Sequence, residues 1–120
     1  MEARKLFDCE FVFMDIVWQY EPLSSRELSE RAEAALGWKR TTSYTVLKKL
    51  CDRGYLQNEH ARVSSLVSRD SALNDEYRNH IKPIFRDDVA SLLDAALSDK
   101  TLSDKEARAL KRVIDAHRVK

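Results

Sequence analysis

Residues 40–54, RTTSYTVLKKLCDRG, limit what this chain can fold into more than any other stretch. Ser43, Val46, Leu47 and Leu50 recur at the spacing of one helix face and predict a short helix packed along that side. The opposite face carries Thr41, Thr45, Lys48 and Asp52, with Thr42, Tyr44 and Lys49 on its flanks. Asp52 aside, these are hydroxyls, a phenol and ammonium groups, which hydrogen-bond phosphate oxygens and base edges when a helix lies in a major groove. Gly54 suits the left-handed residue that ends such a helix.

The preceding residues supply a scaffold for it. DCEFVFMDIVWQY, residues 8–20, predicts a first helix with Phe13, Met14, Ile16, Val17 and Tyr20 as core candidates and Trp18 beside them. Pro22 cannot continue the hydrogen-bond ladder and ends it. Ser24 followed by Glu27 has the pattern of a capping box, so a second helix runs from about Ser25 to Leu36, burying Leu28, Ala32, Ala35 and Leu36, until Gly37 stops it. Trp38 stands in the short turn that follows, placed to plug the corner before the helix of residues 40–54. Two helices joined by a tight turn, the second polar outside, form a helix-turn-helix.

After Gly54 the pattern changes to two short segments, Tyr55–Glu59 and Arg62–Val67, around His60 and Ala61. They predict a β-hairpin, with β-branched residues enriched in the second segment. A hairpin directly after the second helix of a helix-turn-helix, the one that would lie in the groove, is a wing. Its turn carries His60 and Arg62 toward the DNA backbone or the adjacent minor groove, or leaves them solvated.

From Ser68 onward the helical period returns. Leu73, Tyr77, Ile81, Ile84 and Phe85 mark one segment, bent or split at Pro83. Asp87 or Asp88 caps a helix with Val89, Leu92, Leu93, Ala96 and Leu97. Ser103 and Glu106 form a second capping box, for a last helix with Ala107, Leu110, Val113, Ile114 and His117 on one side. Short amphipathic helices at the end of a small chain cannot all bury their stripes on a hairpin. Either they fold back on the N-terminal domain or they cover a second copy of the chain, the expected outcome for a DNA-binding domain. The candidate dimer contacts are Tyr77, Ile81, Phe85, Leu92, Leu93, Leu97, Leu110, Val113 and Ile114. The expected fold is thus mainly α with a small β-hairpin: a winged helix-turn-helix over residues 1–69 and a helical dimerisation region over 70–120.

Charge distribution agrees. The formal net charge of the 120 residues is only +1, but residues 39–69 hold seven cations against two carboxylates, residues 1–38 four against eight, and residues 70–120 ten of each. Positive charge concentrated on the segment suspected of facing DNA supplies sequence-independent affinity through counterion release. No apolar run reaches the length of a membrane span, and MEARKLFDCE lacks the apolar stretch of a secretion signal, so a cytoplasmic protein without membrane insertion is expected. Cys9 and Cys51 stand apart, with no CxxC or histidine pair near them. They are expected to be small core hydrophobes, not metal ligands, with redox sensing at Cys51 as the alternative. No bound metal or cofactor is expected. His60, His80 and His117 fall on different elements, no nucleophile or paired carboxylates form a recognisable constellation, and no glycine loop could cradle phosphate, so catalysis is not expected.

Glu10, Met14 and Trp18, then SSRELSERA at 24–32, Trp38, TTSYTVLKKLCDRGYL at 41–56 and SLVSRD at 65–70 together resemble the penicillinase-repressor (BlaI/MecI/CopY) family of bacterial winged-helix repressors. The likeness runs on to the capped last helix. It implies a homodimer that sits on an inverted-repeat operator and blocks transcription, with contacts at Thr41, Thr42, Tyr44, Thr45, Lys48 and Lys49; helix geometry adds Arg40, and the wing His60 and Arg62. In the β-lactam-responsive members, a membrane-bound sensor protease leads to cleavage of the repressor at an Asn-Phe step in the C-terminal region. Here Ala95 and Ala96 stand at that step, no cysteine follows Cys51 to build the tail of the copper-responsive members, and the wing lacks the family's Gly-Arg-aromatic tip. A winged helix used only to dock another protein is the competing function; it has no need of the positive segment.

Overall fold

A computed structural model describes residues 6–119; residues 1–5, part of the N-terminal stretch considered above, and Lys120 lie outside the described residues. Three helices come first, α1 (Asp8–Tyr20), α2 (Ser25–Leu36) and α3 (Arg40–Asp52), with a two-residue strand β1 (Leu23–Ser24) between the first two. The hairpin strands β2 (Leu56–Glu59) and β3 (Arg62–Ser65) follow. The sheet is antiparallel in the order β1-β3-β2, with Leu23 opposite Val63 and Asn58 opposite Val63 on the other side. The third strand is an addition to the expected hairpin, and makes the fold a winged helix-turn-helix with its wing stitched to the chain entering α2.

The core explains the helix boundaries. Phe13, Met14, Ile16 and Val17 of α1, Leu28 and Ala32 of α2, and Leu47 and Leu50 of α3 close on Tyr55, Leu56 and Val63 of the hairpin. Trp38 fills the corner as expected, its ring 5.5 Å from that of Phe13. Ser24 Oγ accepts from the Glu27 amide at 3.0 Å to start α2, while the Glu27 carboxylate accepts from Arg31 Nε at 2.9 Å, so the cap uses its hydroxyl arm. Gly37, at φ 72°, ends that helix.

Three side-chain expectations fail at helix ends. Tyr20, in the last turn of α1, is exposed, because its ring lies past the core and is covered instead by the Arg31 guanidinium, 3.4 Å above it. Ala35 is exposed in the last turn of α2, where Leu36 and Trp38 take over the packing. Cys9, in the first turn of α1, is exposed rather than a core hydrophobe, whereas Cys51 is half-buried against the core.

The hairpin turn is tight and strained. His60 and Ala61 have φ of 53° and 61°, the left-handed values a type I′ turn requires of both central residues. A side chain held there costs about 1–2 kcal/mol per residue. The double substitution His60→Asn with Ala61→Gly, which installs the residue pair such a turn favours, is therefore expected to stabilise the fold by about 1 kcal/mol after the extra unfolded-chain entropy of glycine is subtracted. Urea unfolding measures this, and an unchanged or lower midpoint would contradict it.

Three polar contacts hold the exit from the wing against α1. Trp18 Nε1 donates to the Val67 carbonyl at 2.9 Å, Glu21 accepts from the Ser65 amide and hydroxyl at 2.9 Å, and Arg69 meets Asp15 at 2.8 Å. Ser68 then caps α4 (Arg69–Glu76), which passes through a π-helical turn (Tyr77–Ile81) into α5 (Lys82–Phe85). The distortion expected at Pro83 falls just before it, with the Lys82 amide reaching back to the Tyr77 carbonyl. A proline ring clashes with the carbonyl four residues earlier, here Asn79, and widening the helix around that residue is one way to relieve the clash.

Residues up to Pro83 form one compact unit and those from Ile84 another. In the second, α6 (Val89–Leu97) is capped by Asp88, whose carboxylate accepts from the Ser91 amide and hydroxyl, at 3.0 and 2.7 Å. Both arms of the box at Ser103 and Glu106 form at the start of α7 (Asp104–Ala116). Hydrogen bonds to Ser91 hold the Asp88 carboxyl below its usual range; Lys100 and then Ser103 do the same for Glu106. These caps contribute stability at neutral pH that is lost as pH falls through the lowered values. Among the described residues of this unit none is buried. Leu92, Leu93, Leu97 and Leu110 are half-buried, and Val113 and Ile114 remain 58% and 51% exposed.

Candidate nucleic-acid interface

The α3 helix presents two sides, as its spacing predicts. Ser43, Leu47 and Leu50 are buried and Val46 is half-buried, while Arg40, Thr41, Thr42, Tyr44, Thr45, Lys48 and Lys49 are all exposed on one helix. Its start carries no carboxylate in the first turn, leaving the positive end of the helix dipole facing solvent beside Lys39 and Arg40. The far end is closed by paired hydrogen bonds, from Gly54 to the Cys51 carbonyl (3.1 Å) and from Tyr55 to the Leu50 carbonyl (2.9 Å), with Gly54 at φ 85°. This arrangement is a Schellman turn, which lets the chain reverse directly into β2.

Thr45 Oγ1 donates to the Thr41 carbonyl at 2.9 Å. Its proton is thereby used within the helix, and the hydroxyl faces outward as an acceptor, suited to a base amino group or a donor on a bridging water rather than to a phosphate. Tyr44 is 40% exposed, with Leu47, Lys48 and Cys51 beside it along a cleft of about 380 Å³ that Ser25 and Asn58 complete. Burial and then the Asp52 carboxylate push the Cys51 thiol above its ordinary pKa. A thiol so held is protonated and a weak nucleophile.

His60 and Arg62 are both exposed at the wing turn. The turn is fixed at the start of α2: the Ser25 amide donates to the Ala61 carbonyl at 2.9 Å, and Arg62 stands opposite Ser24 in the sheet. The wing is therefore short and close to the helix-turn-helix, not a long arm.

The seven cations of residues 39–69 do not all share this surface. Arg53 turns to α1 and meets Glu10, and Arg69 pairs with Asp15. Those two are exposed as well but are drawn to acids of α1; Lys39, Arg40, Lys48, Lys49 and Arg62 stand exposed on α3, its entry and the wing, against Asp52 and Glu59. The surface stays positive, with fewer charges than the sequence count implies. The Glu10–Arg53 pair had no signal in the sequence, since an acid in one helix and a cation 43 positions later have no common spacing.

None of the nine candidate dimer residues is buried in the single chain. Tyr77, Ile81, Phe85, Leu92, Leu93, Leu97 and Leu110 are half-covered, and Val113 and Ile114 are exposed. Among the described residues, no helix is long and apolar enough to cross a membrane, and no three histidines, cysteines or carboxylates gather as a metal site.

Comparison with known proteins adds to this geometry. The methicillin resistance regulatory protein MecI of Staphylococcus aureus (strain Mu50) is 21% identical over 118 residues, covering 95% of this chain and 96% of the relative. A solved MarR family protein of Mycobacterium tuberculosis is 25% identical, with a TM-score of 0.48, the match covering 92% of this chain and 73% of that one. The family model described as penicillinase repressor matches residues 6–116. The chain belongs to the penicillinase repressor family, and is a winged-helix transcription regulator and not an enzyme.

Proposed function

We propose that this regulator is a DNA-binding repressor that sits as a homodimer on an inverted-repeat operator. The observation that carries the proposal is the two-sided α3: three buried residues seat it on the core while seven polar and cationic side chains stand exposed together. Each recognition helix enters a major groove, and symmetry sets the half-sites about one duplex turn apart. Arg40, Lys48 and Lys49 bind phosphates. Thr41, Thr42, Tyr44 and Thr45 reach base edges or sugars, and His60 and Arg62 touch the backbone beside the groove.

The dimer is held through the helices beyond α4. A unit in which no described residue is buried has little core of its own, and its half-covered leucines with Val113 and Ile114 supply the apolar area that a second copy would cover. Cytoplasmic location follows from action on genomic DNA. Removal by a sensor protease is not favoured: Ala95 and Ala96 lie in the last turn of α6 and lack the aromatic side of an Asn-Phe step. Relief by oxidation of Cys51 is disfavoured by its protonated thiol. A protein-docking winged helix would leave the cations of α3 without a role.

The test is Lys48→Ala. Loss of one phosphate contact is expected to weaken binding to every duplex alike and to reduce the slope of log affinity against log salt by about 0.9. A salt titration that overlays the wild type would remove Lys48 from the interface.

A further inference from the structure

Glu10 is the one charged side chain among the described residues that the core buries, at 8% exposure. It lies on the line of α1 that continues through Met14 and Val17. Both its carboxylate oxygens accept from Arg53 Nη1 at 3.0 Å, and one also accepts from the Phe7 amide at 3.0 Å. Arg53 is the residue that ends α3, immediately before the Gly54 turn into the wing. Its guanidinium stands 5.3 Å from the ring centre of Tyr55, which is itself 2% exposed.

Burying a carboxylate costs free energy that a well-packed apolar residue would not, so stability alone is a weak reason to hold one there. Direction is a better reason. A carboxylate fixed by a backbone amide and a guanidinium held over an aromatic ring restrict approach to a narrow range of angles, which greasy contacts do not. The pair joins the first turn of α1 to the residue that caps the C-terminus of α3, where a cation is further favoured by the dipole.

We propose that Glu10 and Arg53 are positioning residues that set the angle of α3 on α1, and thereby aim the Thr41-to-Lys49 face at the groove. This rests on the DNA-binding reading above. Arg53 is then no phosphate ligand, although the sequence places it among the cations of the positive segment.

The two roles give opposite results in a salt titration of Arg53→Met, Arg53→Lys and Glu10→Gln. The probes are a duplex selected by the wild-type protein from genomic fragments and a random-sequence duplex of equal length. If the pair positions α3, Arg53→Met and Glu10→Gln each lose about tenfold to a hundredfold in affinity for the selected duplex, as misplaced base contacts should. Both then bind the random duplex nearly as wild type with the salt slope unchanged, and Arg53→Lys, which keeps the charge but not the planar guanidinium, recovers only part of the loss. If instead Arg53 holds a phosphate, Arg53→Met loses affinity for both duplexes and its slope falls by about 0.9, while Glu10→Gln frees a cation and binds more tightly. That result, or unchanged affinity for the selected duplex, overturns the proposal. Should Glu10→Gln fail to fold, Arg53→Met, altered at a side chain 35% exposed, decides the matter by itself. A wild-type protein that retards neither duplex would refute DNA binding, a separate outcome visible before any variant is made.

Discussion

A chain carrying both Val113→Glu and Ile114→Glu is expected to sediment as a monomer and to lose about a hundredfold or more in operator affinity, because two linked half-site contacts become independent ones. Both side chains are more than half exposed on α7, so the single chain loses little packing when they change. In the dimer the same positions would lie in an apolar seam, where two carboxylates facing their symmetry mates have neither water nor a partner. Circular dichroism should show the helices retained, while sedimentation shows the mass halved. A variant that stays dimeric would place the seam elsewhere, and one that is monomeric but binds as tightly as wild type would separate dimerisation from DNA recognition.

The largest effect on stability is expected at Phe13. Its ring is fully buried between the helices and packs on Trp38 at the entrance to α3. Truncating such a ring typically costs about 3–5 kcal/mol through lost burial and the cavity left behind. Against a total of roughly 5–15 kcal/mol for a folded domain, Phe13→Ala should remove much of the margin. Urea denaturation followed by tryptophan emission reads the change, and Trp38 should be more solvated in the variant even below the transition. A cost under about 1 kcal/mol would mean that the corner repacks without the ring, below the usual range for such truncations.

Local rules account well for where most of the helices start and stop. Pro22, Gly37 and Gly54 act where their backbone chemistry says they must, and Ser24, Ser68, Asp88 and Ser103 each start a helix by accepting a backbone N–H. The hairpin is legible too, since two short segments around a two-residue break have few alternatives. What the sequence hides is non-local. The β1 strand is two residues long and exists only because β3 offers it a ladder. Tyr20 keeps the apolar period of α1 but stands one turn beyond the edge of the core, so periodicity alone misassigns it. The π turn lies just before Pro83, where the carbonyl that a proline ring crowds is one turn back.

The interface shows the same division. Helical spacing separates the exposed face of α3 from its buried face without help from the fold, and the seven candidates on that helix are exposed together. Charge counting does less well, since it cannot see that Arg53 and Arg69 are turned to acids of α1. The use of the Thr45 proton by Thr41 is likewise invisible until the helix is built.

The most direct measurement is the backbone amide spectrum of the labelled protein, taken with and without a duplex selected from genomic DNA. The largest shifts are predicted along residues 40–49 of α3 and at 60–62 of the wing, with the buried positions of α1 little changed. Shifts confined to α6 and α7, or none at all at saturating duplex, would contradict a recognition role for α3.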